Sequence, residues 1–369
     1  MWPATAAARG LRGILGTQHG LIQAPMAGAS GVALAVAVCE AGGLGSLPCA
    51  MLDPPTADAQ MREMRALTAR PFNVNFFCHT APDTRAAASA EQQQAWRHVL
   101  QPIYQREGVA VPPLTGAPGA GSRTPFDDDM CRVVERHRPA VVSFHFGLPD
   151  SALIERVKAT GACVMSSATT VAEAVWLAQR GCDVVIAQGV EAGGHRGMFL
   201  SSDITTQVGT MALVPQVVDA VDVPVIAAGG IGDARGVAAA FALGASAVQL
   251  GTAYLHVAEA TITSPHKQAL KAATADSTAL TNLFSGRPAR GVVNRLMREV
   301  GPMNTDAPPF PTAGTALVPL KVAGEARGVG DYSSLWAGQG VGLRLPWQHD
   351  TAAALTSALV GDVMKTMYM

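Results

Sequence analysis

The chain is 369 residues long, with 27 Lys and Arg against 28 Asp and Glu and a formal net charge of -1. So even a balance, with charged residues at only 15%, leaves no electrostatic footprint for nucleic acid or an anionic membrane surface. The length suits a large domain with an accessory region, and although 49% of the residues are hydrophobic, no apolar run reaches the length of a membrane span.

In chain order, residues 1–10 lack a basic stretch followed by an apolar one, so no secretory signal is expected. Residues 21–25 read as a short strand and 32–41 as a helix. A weak strand at 45–47, a helix at 54–69 and a strand at 72–76 follow. In the last of these Asn73 and Asn75 share one face by the two-residue alternation of strands. A helical piece at 91–106 and a loop rich in Pro, Gly and acids at 111–129 do not fit a minimal strand–helix unit. A strand at 140–144 leads into His145, and one at 162–165 precedes a helix at 171–180. Three further apolar runs, 183–188, 223–228 and 245–250, each pass into a glycine-rich turn.

Eight short runs of β-branched and small apolar residues, alternating with helices, read as buried parallel strands. The expected fold class is therefore α/β: a TIM (β/α)8 barrel with an inserted segment and a mainly helical C-terminal cap domain. The expected boundaries are 1–77 for the first part of the barrel, 78–139 for the insertion between strands three and four, and 140–255 for the second part. A helical cap at 256–345 and a C-terminal helix at 346–369 complete the division. The six cysteines are scattered, without CxxC or partnered His spacing. They are expected to be reduced and buried in a cytoplasmic protein, with no structural zinc.

In a barrel the C-terminal strand ends form the active face. Those ends carry Ala24, Pro25, Met26, Asn75, His145, Ser166, Gln188, His195, Gly230, Gln249 and Thr252. Amides, imidazoles and backbone donors, with almost no carboxylate, suit a planar heterocycle with polar edges better than a divalent metal. The glycine turns at Gly229, Gly230 and Gly251 follow the last two strands, where a barrel binds phosphate. Paired acids for glycoside hydrolysis, Gly-x-Ser-x-Gly, a Walker loop and His-Glu-x-x-His are all missing. The 229–233 turn also has the wrong glycine spacing for a dinucleotide fingerprint. Plainer readings exist: His195 as a solvated loop residue, Asn75 bonded to backbone, the glycines as tight turns. Position at the strand ends favours function for these, while His145 and the arginines of 285–290 are evenly balanced.

Several stretches carry a resemblance: Gln23-Ala-Pro-Met-Ala27, Phe72-Asn-Val-Asn75, Ser143-Phe-His-Phe-Gly147, Gln188-Gly-Val-Glu-Ala-Gly-Gly-His-Arg-Gly197, Ala228-Gly-Gly-Ile231 and Gln249-Leu-Gly-Thr252. With Ser285-Gly-Arg-Pro-Ala-Arg-Gly291 and Leu335-Trp-Ala-Gly-Gln339, the chain resembles the nitronate monooxygenase family over nearly its whole length. The resemblance implies FMN, no metal, and oxidation of alkyl nitronates, notably propionate 3-nitronate, by O2 to an aldehyde or oxo acid and nitrite. It further implies flavin contacts from Ala24, Pro25, Met26, Asn75, Gln188, Gly193, Gly194, Gly229, Gly230, Gln249, Leu250, Gly251 and Thr252. His195 becomes the catalytic residue, as imidazolium holding the nitronate or as neutral base. His145, Arg196 and Tyr332 become candidate substrate contacts. The implied partners are a nitronate and O2, with no nucleic acid, no membrane, and a homodimer left open. Flavin-dependent enoyl-ACP reductases, which need NADH, resemble the chain in the same glycine-rich region and are the alternative. A non-catalytic flavin-binding protein is the third reading.

Overall fold

A computed structural model describes residues 6–80, 90–111 and 123–368. Most of the loop expected at 111–129, and the first half of the stretch examined for a signal, lie outside the described residues.

The eight barrel strands are β1 (Leu21–Gln23), β2 (Ser46–Pro48), β3 (Asn73–Phe77), β4 (Val141–His145), β5 (Cys163–Ala168), β6 (Val184–Gln188), β8 (Val225–Ala228) and β9 (Ala247–Leu250). A two-residue strand β7 (Gly194–His195) lies outside the barrel, in the loop after β6. All barrel pairs are parallel, in the order β1-β9-β8-β6-β5-β4-β3-β2. The ring closes through Leu44, whose N–H donates to Leu21 O and whose carbonyl accepts from Gln23 N, both at 2.9 Å. Each strand is short and every residue of β1, β3, β5 and β6 is buried, as a parallel sheet covered on both faces requires.

The barrel interior is filled by Ile22, Val141, Met165, Val184, Ile186 and Ile226, and the helix α1 (Ala6–Leu15) seals its N-terminal end with Leu11 and Leu15. Around it run α2 (Val32–Glu40), α3 (Pro54–Leu67), α5 (Asp128–His137), α6 (Ser151–Ala159), α7 (Val171–Gln179), α8 (Thr210–Ala220) and α9 (Ala234–Ala242). Side-chain caps set the N-termini of α3, α5, α7 and α9: Asp53, Asp127, Thr170 and Asp233 each accept a backbone N–H of the first turn.

Two boundaries differ from expectation. The helix α5 packs with Met130, Cys131 and Val134 against the barrel alongside Met61 and Met64 of α3. It is the barrel helix of its unit, so the added segment ends before Asp127 rather than at 139. The final helix α13 (Ala352–Tyr368) buries Leu355, Leu359 and Val363 with Leu34 and Val38 of α2 and Val237 and Phe241 of α9. It therefore serves as the eighth barrel helix, and the cap is an insertion between β9 and that helix.

The cap is mainly helical and also carries a small sheet. Besides α10 (Ser264–Ala272), α11 (Arg295–Val300) and α12 (Val318–Ala326), it contains β10 (Thr278–Thr281) and β11 (Ala289–Val292). These two join β7 in an antiparallel sheet of order β10-β11-β7. The four-residue strands are too short to announce themselves by alternation. The added helix α4 (Ala90–Glu107) belongs to the cap: Trp96, Leu100, Ile103 and Tyr104 share a core with Leu283, Leu296, Leu317 and Leu320. Glu107 fastens it, receiving Tyr332 Oη at 2.6 Å and ion pairs from Arg295 and Arg327.

Candidate active site

The loop 189–197 is glycine-rich because it is packed backbone against backbone. A Cβ on Gly189 would overlap Thr210 Oγ1, and one on Gly193 would lie 2.5 Å from Gly338 N. Glu191 anchors the loop by accepting from Thr210 N and Oγ1. Its carbonyl accepts from Gln339 N at 2.9 Å. The chain then runs as β7 against β11, pairing His195 with Ala289 and Gly194 with Arg290. His195 thus stands between the barrel mouth and the cap.

Beneath it lies a cavity of ≈ 390 Å³. Its floor and walls include Ala24, Pro25, Met26, Asn75, His145, Gln188, Gly193, Gly194, His195, Gly229, Gly230, Gln249, Gly251 and Thr252. Those expected site residues are brought together. Three are not. Leu250 is buried with Val248 and Tyr254 in the layer between strands and helices, because alternation along β9 turns it away from Gln249. Arg196 is fully buried behind the loop, donating to Gln188 O at 2.6 Å, Gly189 O at 2.7 Å and Gln207 Oε1 at 2.8 Å. It is a fastener of backbone carbonyls rather than a substrate contact. Tyr332 sits in the cap core with its hydroxyl on Glu107, remote from the cavity wall. At the end of β5 the residue facing the mouth is Ser167; Ser166 bonds the carbonyls of Phe144 and Gly147 instead.

The two histidines are both held by hydrogen bonds. His145 Nε2 faces the carbonyl of His195 at 3.2 Å, so that nitrogen carries the proton, and Nδ1 meets Ser167 Oγ at 3.1 Å. Burial pushes the His145 pKa down to about 4. Burial, reinforced by the positive field of Arg123, also holds His195 well below the ordinary imidazole value. His195 is therefore neutral at physiological pH. Its Nε2 lies 2.8 Å from Ser285 Oγ of the cap, and its ring is 5.6 Å from Trp336 and 5.7 Å from Phe310, centroid to centroid. Gln188 is spent on the loop, donating to His195 O at 3.0 Å and accepting from Gly197 N at 2.8 Å.

On the opposite side the turn after β8 has Gly229 at φ 114° and Gly230 at φ 70°, conformations that favour glycine. A Cβ on Gly230 would also meet Glu191 Cβ at 3.3 Å. Gly251 and Thr252 form the next turn, and Thr252 Oγ1 accepts from Gly338 N at 2.9 Å. Gln249 Oε1 is buried without a partner among the described residues, an acceptor kept for a donor on a ligand. A glycine cradle, an orphaned amide oxygen and apolar walls fit a planar phosphorylated heterocycle. No group of three or more His, Cys, Asp or Glu among the described residues is placed to hold a metal ion.

Sequence reasoning missed Phe77, Ser143, Arg123, Lys321, Glu325, Ser333 and Trp336 of the cavity wall. Ser143 and Trp336 lay within matched stretches and could have been named. The others come from segments far apart in sequence, with no local pattern to mark them.

The fold and the site together define a (β/α)8-barrel oxidoreductase with a cofactor cavity under a cap. The nitronate monooxygenase family model matches residues 9–358, and the chain belongs to that family. It is 42% identical to the nitronate monooxygenase of Paraburkholderia phytofirmans, covering 91% of this chain and 90% of that one. Identity to the Pseudomonas aeruginosa nitronate monooxygenase is 41%, over 95% and 97%. Among solved structures, a nitroalkane oxidase from Streptomyces ansochromogenes superposes with a TM-score of 0.82 at 36% identity, over 97% of this chain and 99% of that one. Family membership implies a flavin cofactor.

Proposed function

We propose that the chain is an FMN-dependent enzyme that oxidises alkyl nitronates, propionate 3-nitronate above all, with O2 to an aldehyde or oxo acid and nitrite. The observation that carries this reading is His195, fastened to Ser285 and facing a cavity that ends in a glycine cradle. Gly229, Gly230, Gly251 and Thr252 would take the FMN phosphate on backbone N–H groups. Asn75 and Gln249 would meet the polar edges of the ring, with Gln188 bracing the loop beside it and Ala24, Pro25, Met26 and the Gly193–Gly194 backbone against its faces. Bound there, FMN would supply the redox centre between the substrate and O2.

The chain's own part is binding, orientation and proton control. With Nε2 engaged by Ser285, His195 has Nδ1 left for a ligand. If Ser285 donates, Nδ1 carries a proton and bonds a nitronate oxygen; if Ser285 accepts, Nδ1 is a base for the α-proton of a neutral nitroalkane. Trp336 and Phe310 flank the ring and exclude water from that side. The same reading has the enzyme in the cytoplasm and leaves a homodimer open; the described residues contain no helix long and apolar enough to cross a membrane. The enoyl reductase alternative is not favoured, because the family match and both curated relatives lie on the nitronate side.

The test is oxygen uptake by FMN-loaded protein given propionate 3-nitronate without NADH, then NADH alone. Rapid uptake with nitrite release and no NADH requirement is expected. Bleaching of the flavin by NADH with no nitronate turnover would sink the proposal.

A further inference from the structure

Behind the cavity two side chains of opposite charge are buried without touching. Arg196 is 0% exposed and Glu173 is 1% exposed. Among the described residues, the hydrogen bonds of both go to uncharged groups. Three of those bonds link them in a chain. Arg196 Nε donates to Gln207 Oε1 at 2.8 Å, Gln207 Nε2 to Thr169 Oγ1 at 3.0 Å, and Thr169 Oγ1 to Glu173 Oε2 at 2.7 Å.

All three bonds are donated toward the carboxylate. A guanidinium has only donors, a carboxylate only acceptors, and a hydroxyl one proton to pass on, so the direction is fixed. Bonds polarised in one sense from cation to anion strengthen one another. Gln207 and Thr169 therefore bridge an ion pair whose charges stand apart. Burial lowers the Arg196 pKa to about 10, and Glu191 and Glu173 pull it back up.

Both ends of the bridge grip the loop that carries His195. Arg196 takes the carbonyls of Gln188 and Gly189, where the loop leaves β6. Glu173 Oε1 accepts from Phe199 N at 2.6 Å and Leu200 N at 3.2 Å, on the far side of the histidine. None of Thr169, Glu173, Arg196 and Gln207 lines the cavity. Their effect on the site passes through the loop.

We infer that Gln207, Thr169 and Glu173 are positioning residues for His195, acting through the bridged ion pair with Arg196. The inference rests on the reading in which His195 handles the nitronate. A loosened bridge lets the loop shift, and a small displacement of a reacting group costs turnover more than it costs binding.

The experiment measures kcat and KM for propionate 3-nitronate in FMN-loaded wild type, Gln207→Leu, Thr169→Val and Gln207→Glu. The first two variants break the bridge; the third keeps an acceptor for Arg196 Nε. Each breaking variant is expected to lower kcat by about 10- to 100-fold, the weight of a hydrogen bond to a charged group. KM and flavin content should stay at the wild-type values, and Gln207→Glu should regain most of kcat. If one breaking variant fails to fold, the other carries the comparison. A lowered melting temperature with kcat per bound flavin unchanged would overturn the inference, because the bridge would then serve stability alone. A raised KM with kcat intact would overturn it as well. Wild-type protein that leaves the nitronate unconsumed would overturn the underlying reaction, and the positioning role with it.

Discussion

His195 Nε2 and Ser285 Oγ meet at 2.8 Å across 90 residues of sequence, one from the loop after β6 and the other from the cap. The same loop is paired to the cap as a strand, with His195 opposite Ala289 and Arg196 N donating to Pro288 O at 2.9 Å. The orientation of the His195 ring therefore depends on both barrel and cap.

Replacing Ser285 by Ala removes the bond that selects the His195 tautomer. FMN content should be unchanged and kcat should fall about 10-fold, in line with one lost hydrogen bond of roughly 1–1.5 kcal/mol. Steady-state kinetics with a flavin spectrum on the same sample checks it; full activity would show that the pair does not orient the ring.

For His195→Ala the expected outcome is retained FMN with turnover reduced by about 100-fold or more, the scale of a lost proton-handling group. Colourless protein would instead mean that the residue helps build the flavin site.

Gly230→Val should weaken FMN binding. The position has φ 70°, and its Cβ would press on Glu191 at 3.3 Å, so strain and obstruction act together. Flavin retained on desalting is the measurement, and wild-type retention would remove the phosphate assignment.

Arg196→Ala is expected to destabilise the fold by about 2–4 kcal/mol, because it strands the carbonyls of Gln188 and Gly189 inside the protein. Denaturant unfolding reports it. A substrate-binding role would predict instead a raised KM with stability unchanged.

Acid should weaken the fold through His145. Its folded pKa, about 4, lies below the ordinary 6.5, so the unfolded chain binds the proton first. The stability is complete above about pH 6.5 and drains away as pH falls toward 4. Melting temperature between pH 7 and 5 should fall less steeply in His145→Asn than in wild type. Equal slopes would mean that His145 is already charged in the native state.

The barrel was readable because each strand is a compact apolar run with a glycine or a polar residue at its end. Asn75, Gln188 and Gln249 line the cavity because strand alternation fixes their direction, and Gly229, Gly230 and Gly251 because they directly follow strand ends. What could not be read is direction outside strands. Arg196 follows His195 immediately, yet one faces the cavity and the other is buried behind it, a choice made by carbonyls that only the folded loop presents. Tyr332 was a polar aromatic near a matched stretch, and only tertiary packing reveals that Glu107 claims its hydroxyl. The bridge from Arg196 to Glu173 is assembled from separate segments, which no periodicity signals.

The cap interrupts the barrel between β9 and α13, and that helix covers the seam where β9 meets β1. On the ribosome, the first strand and its helix must therefore wait, with one flank uncovered, while the whole cap is synthesised before the helix that covers them emerges. Assembly of the pocket is in this way coupled to completion of the chain: a release short of α13 would leave a cap already built upon a barrel that cannot shut, and such products should be recognised by chaperones and proteases before any cofactor reaches them.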